Sequence, residues 1–387
     1  MELSETLLAQ QIVRLQALLE ASRQIHSTIQ LDEVLCIVLR IVVRELELTG
    51  AFFPSFDRSY GDVPSGLKQR LRSAPESGLG AENDQVLLFP LCDKNGNRVT
   101  NLATILPSGR ALTIDEVDFL EALSMQASVA IENARFHERT VQWQRLESDL
   151  ASARLVQQSL LPQQMPEIPR YALAARSVAC YEVGGDYLDI ISLPSGEVIA
   201  VVGDVAGKGL TSALVGMSFR SAFRAMAHSG MPLVEIATQM NQLHYNEGAE
   251  SRRRYVTAFL LRLDPSLNTI EVVNAGHNPA FLLPGNGGCI RIAASGTPIG
   301  MLPFSSYLPE KYLLDPSARL LIYTDGMTEV FRGQEEFGEQ GLLQIFSDCK
   351  ETTPEATLST LWNTLKAYTD EPAQPDDMTA LALFRTS

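Results

Sequence analysis

From Thr113 to Leu161 the chain contains neither proline nor glycine, and this interval constrains the fold more than any other feature. Thr113 and Glu116 have the spacing of a capping box, with Asp115 also in the first turn, so a helix is expected to open there. A helix running to Pro162 is too long for one globular domain, and part of it must leave the domain that begins it. Two folded parts with a helical connector also suit a length of 387 residues. In the second half of the helix Trp143, Leu146, Leu150, Ala153, Gln157 and Leu160 alternate spacings of three and four. That pattern predicts a two-stranded coiled coil, with Gln157 a polar exception at a core position. The same stripe would also serve to pack on one of the chain's own domains.

Before that helix, Leu8, Ile12, Leu15 and Leu19 predict a first helix over Leu7–Leu19. A second, Leu31–Leu46, is apolar on most of its circumference and is expected to sit against a sheet. Residues 54–84, rich in Pro, Gly, Ser and Arg, read as a long surface loop. Val86–Leu91 and Leu102–Leu106 read as strands, with a turn at Lys94-Asn95-Gly96-Asn97.

Composition narrows the functional classes. With 45% hydrophobic and 20% charged residues the chain reads as soluble and globular. Its most apolar stretch, Leu31–Val43, is broken by Asp32, Glu33 and Arg40, so no membrane span is expected. Met1–Glu5 lacks the basic-then-apolar pattern of a signal peptide, and a cytoplasmic location is the expectation. The cysteines (Cys36, Cys92, Cys180, Cys289, Cys349) are scattered with no C-x-x-C pair, which points to buried thiols rather than zinc ligands or disulfides. A net charge of −15 argues against a nucleic-acid backbone as partner and suits a protein that binds divalent cations.

Beyond Met165 the texture changes to strands and glycine-containing turns. Strands are expected at 173–180, 187–193, 197–202, 255–263, 269–273, 280–283, 318–323 and 379–384, with helices at 210–228, 232–246, 340–346 and 354–368. Four acidic motifs stand at strand ends: Gly184-Gly185-Asp186-Tyr187-Leu188-Asp189, Gly203-Asp204-Val205-Ala206-Gly207-Lys208-Gly209, Tyr323-Thr324-Asp325-Gly326 and Gln374-Pro375-Asp376-Asp377-Met378-Thr379. Any one of them alone is an ordinary turn. Converging on one sheet edge, they would hold several carboxylates that cannot all stay ionised without positive charge between them. The motifs themselves offer only Lys208. Carboxylates, carbonyls and water are the ligand set of Mg²⁺ or Mn²⁺.

With these motifs in this order, residues 165–387 closely resemble the SpoIIE/RsbU-type branch of the PPM (PP2C-like) protein phosphatases. Asn274-Ala275-Gly276-His277-Asn278-Pro279 and Gly296-Thr297-Pro298-Ile299-Gly300 extend the match. The resemblance implies an α+β fold, an αββα sandwich with two Mn²⁺ or Mg²⁺ ions at one end of the paired sheets. Asp204 would bridge both ions, the Val205 backbone carbonyl would complete a ligand, and Asp186, Asp325 and Asp376 would supply the rest. Asp377 is the alternative to Asp376, and Asp189 either contributes or braces the loop. No side chain is then a nucleophile, since two cations sharing a water lower its pKa from about 15.7 towards neutrality for attack on phosphorus. Many PPM phosphatases carry a phosphate-binding arginine just before the first metal aspartate. Tyr181, Glu182, Val183, Gly184 and Gly185 include none, as is general in the bacterial branch.

Residues 15–137, chiefly Phe89–Arg135, are similar to a GAF sensory domain in their order of helices, strands and capped C-terminal helix. The loop at 54–84 stands where that family forms its ligand pocket, so a small-molecule receptor and a purely dimerising domain both stay open. The expected organisation is a GAF-like regulatory domain at 1–137, a helical linker at 138–164 and a phosphatase domain at 165–387. The resemblance implies a phosphorylated STAS-type anti-sigma-factor antagonist as substrate, and the linker stripe implies a homodimer. The competing class is a docking protein that keeps the fold without catalysis, which would be expected to have lost metal ligands.

Three other features weigh less. Gly203-x-x-x-Gly207-Lys208-Gly209 lacks the spacing and the Ser or Thr of a phosphate-binding P-loop. His277 is either a proton donor to the leaving oxygen or, as favoured here, a residue that fixes a turn. Arg252, Arg253 and Arg254 form a basic run, read as a solvated loop or a contact for an acidic partner.

Overall fold

A computed structural model describes residues 15–73, 85–92, 96–370 and 374–386. The chain falls into two units, Met1–Leu146 and Glu147–Ser387, and the boundary lies inside one helix. Most of the expected first helix and the Lys94-Asn95 turn lie outside the described residues.

In the first unit, α1 (residues 15–25) and α2 (Leu31–Glu45) precede β1 (Gly50–Phe53) and β2 (Arg58–Gly61). Next come α3 (Ser65–Ser73), β3 (Val86–Cys92), β4 (Arg98–Ile105) and α4 (Ile114–Leu160). The strands form one antiparallel sheet in the order β2-β1-β4-β3. Val34, Leu35, Val38 and Val42 of α2 pack with Leu120, Leu123, Ala127 and Ile131 of α4 over one sheet face. The expected loop at 54–84 is corrected over its described part. Residues 58–61 pair with β1 as a hairpin, and α3 packs Leu67 and Leu71 against Phe52, Ala103 and Ile105 on the other face. β2 is an edge strand with every residue exposed, so its sequence lacks the alternation that marks a half-buried strand. Strand β4 also begins earlier than expected, at Arg98.

Helix α4 opens as the capping box requires. Thr113 N–H donates to Glu116 Oε2 at 2.8 Å and Glu116 N–H to Thr113 Oγ1 at 3.3 Å.

The second unit holds β5 (Tyr171–Val178), β6 (Tyr187–Ser192), β7 (Val198–Val205), α5 (Leu210–His228), α6 (Leu233–Asn246) and α7 (Ala249–Arg253). It continues with β8 (Val256–Asp264), β9 (Thr269–Ala275), β10 (Ala280–Leu283), β11 (Ile290–Ile292), β12 (Glu310–Leu313) and β13 (Arg319–Tyr323). β14 (Phe331–Arg332), β15 (Glu335–Glu336), α8 (Gly338–Asp348), α9 (Pro354–Tyr368) and β16 (Met378–Arg385) complete it. Two five-stranded sheets, β12-β9-β8-β7-β6 and β11-β10-β13-β16-β5, form the body. Alternating side chains explain the layering. Val198, Ala200 and Val202 of β7 join Leu261, Leu320, Ile322 and Leu381 in the core between the sheets. Ile199, Val201 and Leu260 face α5 and α6, whereas Leu321, Tyr323 and Ala382 face α8 and α9. The result is a four-layer sandwich, helices outside and sheets within. Short β11, β12, β14, β15 and α7 add to the expected elements; each has two to five residues and carries little buried apolar pattern.

Candidate metal centre

Strand register brings the acidic motifs to one end of the sandwich. Tyr187 pairs with Gly203, so Asp186 and Asp204 sit at the same edge of their sheet. In the other sheet Tyr323 pairs with Ala380 and Met378 with Val178, which sets Asp325, the Asp376-Asp377 pair and Cys180 at a common end. Hydrogen bonds tie the two edges together. Thr324 Oγ1 donates to Asp186 Oδ2 at 2.8 Å and accepts from Thr379 N–H at 3.0 Å.

The adjacent acids separate by role. Asp377 is buried, and its carboxylate accepts from the N–H groups of Cys180 at 2.8 Å, Gly185 at 2.6 Å and Asp186 at 3.4 Å. Its oxygens clamp the loop before β6. Asp376 is half-buried, and its Oδ2 lies 2.8 Å from Lys208 Nζ. Close approach explains Gly184, where a Cβ would lie 2.5 Å from Asp377 Oδ2. The Val205 carbonyl faces the same loop, 3.0 Å from where a Gly185 Cβ would stand.

Charge accumulates here without matching counter-charge. Burial and then the charge of Asp204 push the Asp186 carboxyl well above its usual range. Burial, with Asp325, Asp376, Asp377 and Glu329 nearby, pushes Asp204 up to about 7. Asp325 and Glu329 are raised as well, chiefly by burial and then by their acidic neighbours. A charge of +2 among these carboxylates would relieve each of these shifts. Cys180 Sγ lies within 4.8 Å of oxygens of Asp376 and Asp377. Its thiol is pushed up to about 12 by burial and then the Asp377 charge, and the rest of the donor set is hard oxygen. The set fits Mg²⁺ or Mn²⁺ better than zinc.

Two expected candidates lie apart from this cluster. Asp189 is buried, and both its oxygens contact Arg224 Nη1, at 2.8 and 2.7 Å. It also accepts from Tyr187 Oη at 2.7 Å and Ile190 N–H at 2.9 Å, so it braces β6 against α5. His277 is buried beside Thr257 Oγ1 at 2.8 Å from Nδ1, and its N–H donates to Asn274 Oδ1 at 2.8 Å. Burial lowers its pKa to about 4, which leaves the ring neutral at pH 7 and unsuited to donating a proton. Arg254 ends the basic run by reaching the rim, donating to the Ala206 carbonyl at 3.2 Å.

Thr324 and Glu329 belong to the cluster and escaped the sequence reading of roles. Thr324 stands inside a quoted motif, and Glu329 lies four residues after Asp325, on the far side of a 3₁₀ turn at Asp325–Met327. Only the spacing from Asp325 would have singled out Glu329.

The sandwich with acids at one end defines a PP2C-like phosphatase fold. The SiaA PP2C domain of Pseudomonas aeruginosa superposes with a TM-score of 0.56 at 20% identity, covering 64% of this chain and 99% of that domain. The family profile described as Stage II sporulation protein E (SpoIIE) matches residues 194–386. Protein IcfG of Synechocystis sp. is 27% identical over 263 residues, 61% of this chain and 41% of IcfG. The phosphoserine phosphatase RsbP of Bacillus subtilis is 29% identical over 153 residues, 39% of this chain and 38% of RsbP. The chain thus spans about two fifths of the length of these two relatives. Through its second unit the chain belongs to the SpoIIE/RsbU branch of the PPM phosphatases.

Proposed function

We propose that the chain is a metal-dependent protein serine/threonine phosphatase. The observation that carries this reading is the gathering of Asp186, Asp204, Asp325 and Asp376 at one end of a PP2C-like sandwich, with three of the four held above the ordinary carboxylate range. Asp204 and the Val205 carbonyl would hold two divalent ions between them, with Asp186, Asp325 and Asp376 as the outer ligands. When bound, such ions supply charge to the phosphoryl oxygens and lower the pKa of a water. The protein's own part is to keep the ligands in place. Thr324 orients Asp186, Asp377 clamps the loop that carries it, and Lys208 adds a cation at the rim.

Phosphoserine on a protein is the proposed substrate, as the name of RsbP suggests for that relative. The resemblance to the branch points to a STAS-type anti-sigma-factor antagonist. The first unit, read as GAF-like from its antiparallel sheet between helical layers, would regulate the second through α4. Trp143 and Leu146, 70% and 48% exposed in a single chain, support dimerisation through that helix. A cytoplasmic location agrees with the described residues, where no helix is long and apolar enough to cross a membrane.

The test is Mn²⁺-dependent phosphate release from a phosphoserine protein and a small aryl phosphate by wild type, Asp204→Ala and Asp325→Ala. Turnover that needs metal and disappears in both variants is the expected result. A wild type that is inert and binds no Mn²⁺ would instead favour a docking protein that keeps the fold.

A further inference from the structure

In the heptad pattern of α4, Gln157 is the polar exception, and the second unit gives it a partner. Its Nε2 donates to the Gly184 carbonyl at 2.7 Å, and its Oε1 accepts from Gly184 N–H at 3.1 Å. Both peptide groups of that glycine are therefore read by one side-chain amide. On its other side Gly184 faces Asp377, which takes the N–H groups of Gly185 and Asp186.

Residues 179–186 have no helix or strand of their own, so their course depends on such tethers. Asp377 fixes the N–H side of the turn into β6, but nothing in that clamp holds the Gly184 carbonyl. A cavity of about 160 Å³ adjoins this contact, bounded in part by Gln157, Leu161, Val178, Gly184 and Met217. It leaves room for the loop to rearrange, because packing does not fill the space beside Gly184. Glycine is also the residue whose peptide planes turn most freely.

We propose that Gln157 is a positioning residue for Asp186, holding the Gly184 peptide so that the Asp186 carboxylate faces Asp204. This rests on the reading of Asp186 as a metal ligand. Glutamine suits the task because its amide carries a donor and an acceptor side by side, matching the C=O and N–H of Gly184. Glutamate would turn a lone pair towards the Gly184 carbonyl, and asparagine is one methylene too short.

The experiment is calorimetric titration of the full-length chain with Mn²⁺, with unfolding midpoints recorded for every variant. Gln157→Ala and Gln157→Met should weaken Mn²⁺ binding by roughly ten-fold or more, as loss of a ligand-orienting partner does. Gln157→Glu should weaken it at least as much. Ser159→Ala, on the same helix turn but bonded only to the Val156 carbonyl, should bind as wild type does. Gln157→Met keeps the side-chain length, so it reads the hydrogen bonds even if alanine destabilises the helix. Mn²⁺ binding at wild-type strength in both Gln157→Ala and Gln157→Met would overturn the proposal, whatever the midpoints do. Asp186→Ala separates the two levels. If it loses binding while the Gln157 variants keep it, only the positioning role fails; if it binds as wild type does, the metal-centre reading fails first.

Discussion

Two buried aspartates three residues apart, Asp186 and Asp189, stand in opposite electrostatic regions of the same unit. Around Asp189 the chain supplies its own cation, Arg224, together with a tyrosine hydroxyl and a backbone N–H. Around Asp186 it supplies hydroxyl donors from Thr324 and Thr379 but surrounds them with further carboxylates, and Lys208 is committed to Asp376. Burial is common to both, so burial does not mark a site. The unbalanced charge does, because it is tolerable only with protons or a cation from outside.

Substitutions should break this contrast in different readouts. The largest effect is expected for Asp325→Ala, which should lower Mn²⁺-dependent phosphate release by about a thousand-fold while leaving the chain folded. Activity within ten-fold of wild type would remove Asp325 from the centre. Asp189→Ala should behave in the reverse way. It strands Arg224, which is one-third exposed and so partly rescued by water. Urea unfolding should show a loss of about 2–3 kcal/mol, with Mn²⁺ affinity within about three-fold of wild type. A variant of full stability and no metal affinity would reverse the assignment of the two regions.

The sign of the pH effect sharpens the same comparison. A proton on Asp204, whose pKa lies at about 7, must leave before a cation binds. Mn²⁺ affinity should therefore fall as pH drops through 7, by about ten-fold between pH 8 and pH 6. A flat profile over that range would mean that Asp204 does not take up a proton there. The smallest effect is expected at His277. Its ring is neutral well below pH 7, so His277→Asn should leave the shape of the pH–rate profile unchanged. Its cost is the Thr257 contact, about 1 kcal/mol in unfolding.

How much of this was legible in sequence depended on where the determinant lies. Helix α5 runs over Leu210–His228 and α9 over Pro354–Tyr368, the spans that apolar periodicity predicts. The other eight strands of the two body sheets are readable because each buries one or both faces, whereas the outermost strands β11 and β12 are not. β2 was not, since all four of its residues are exposed and its place is fixed by pairing with β1. The adjacent pair Asp376 and Asp377 could not be divided by composition. Strand register turns one carboxylate to three backbone N–H groups and the other towards Lys208. Gln157 was visible as an anomaly in the heptads, but its partner lies 27 residues onward in an irregular loop, beyond the reach of any periodic pattern.

The most direct measurement is the binding of Mn²⁺ to the full-length chain at pH 8, compared between wild type and Asp204→Asn. Asparagine removes the charge at nearly constant shape. The carboxylate-cluster account predicts saturable binding in the wild type and its loss in the variant, with a raised unfolding midpoint for the variant in metal-free buffer as repulsion is relieved. Equal binding by the two proteins, or none by the wild type, would contradict it.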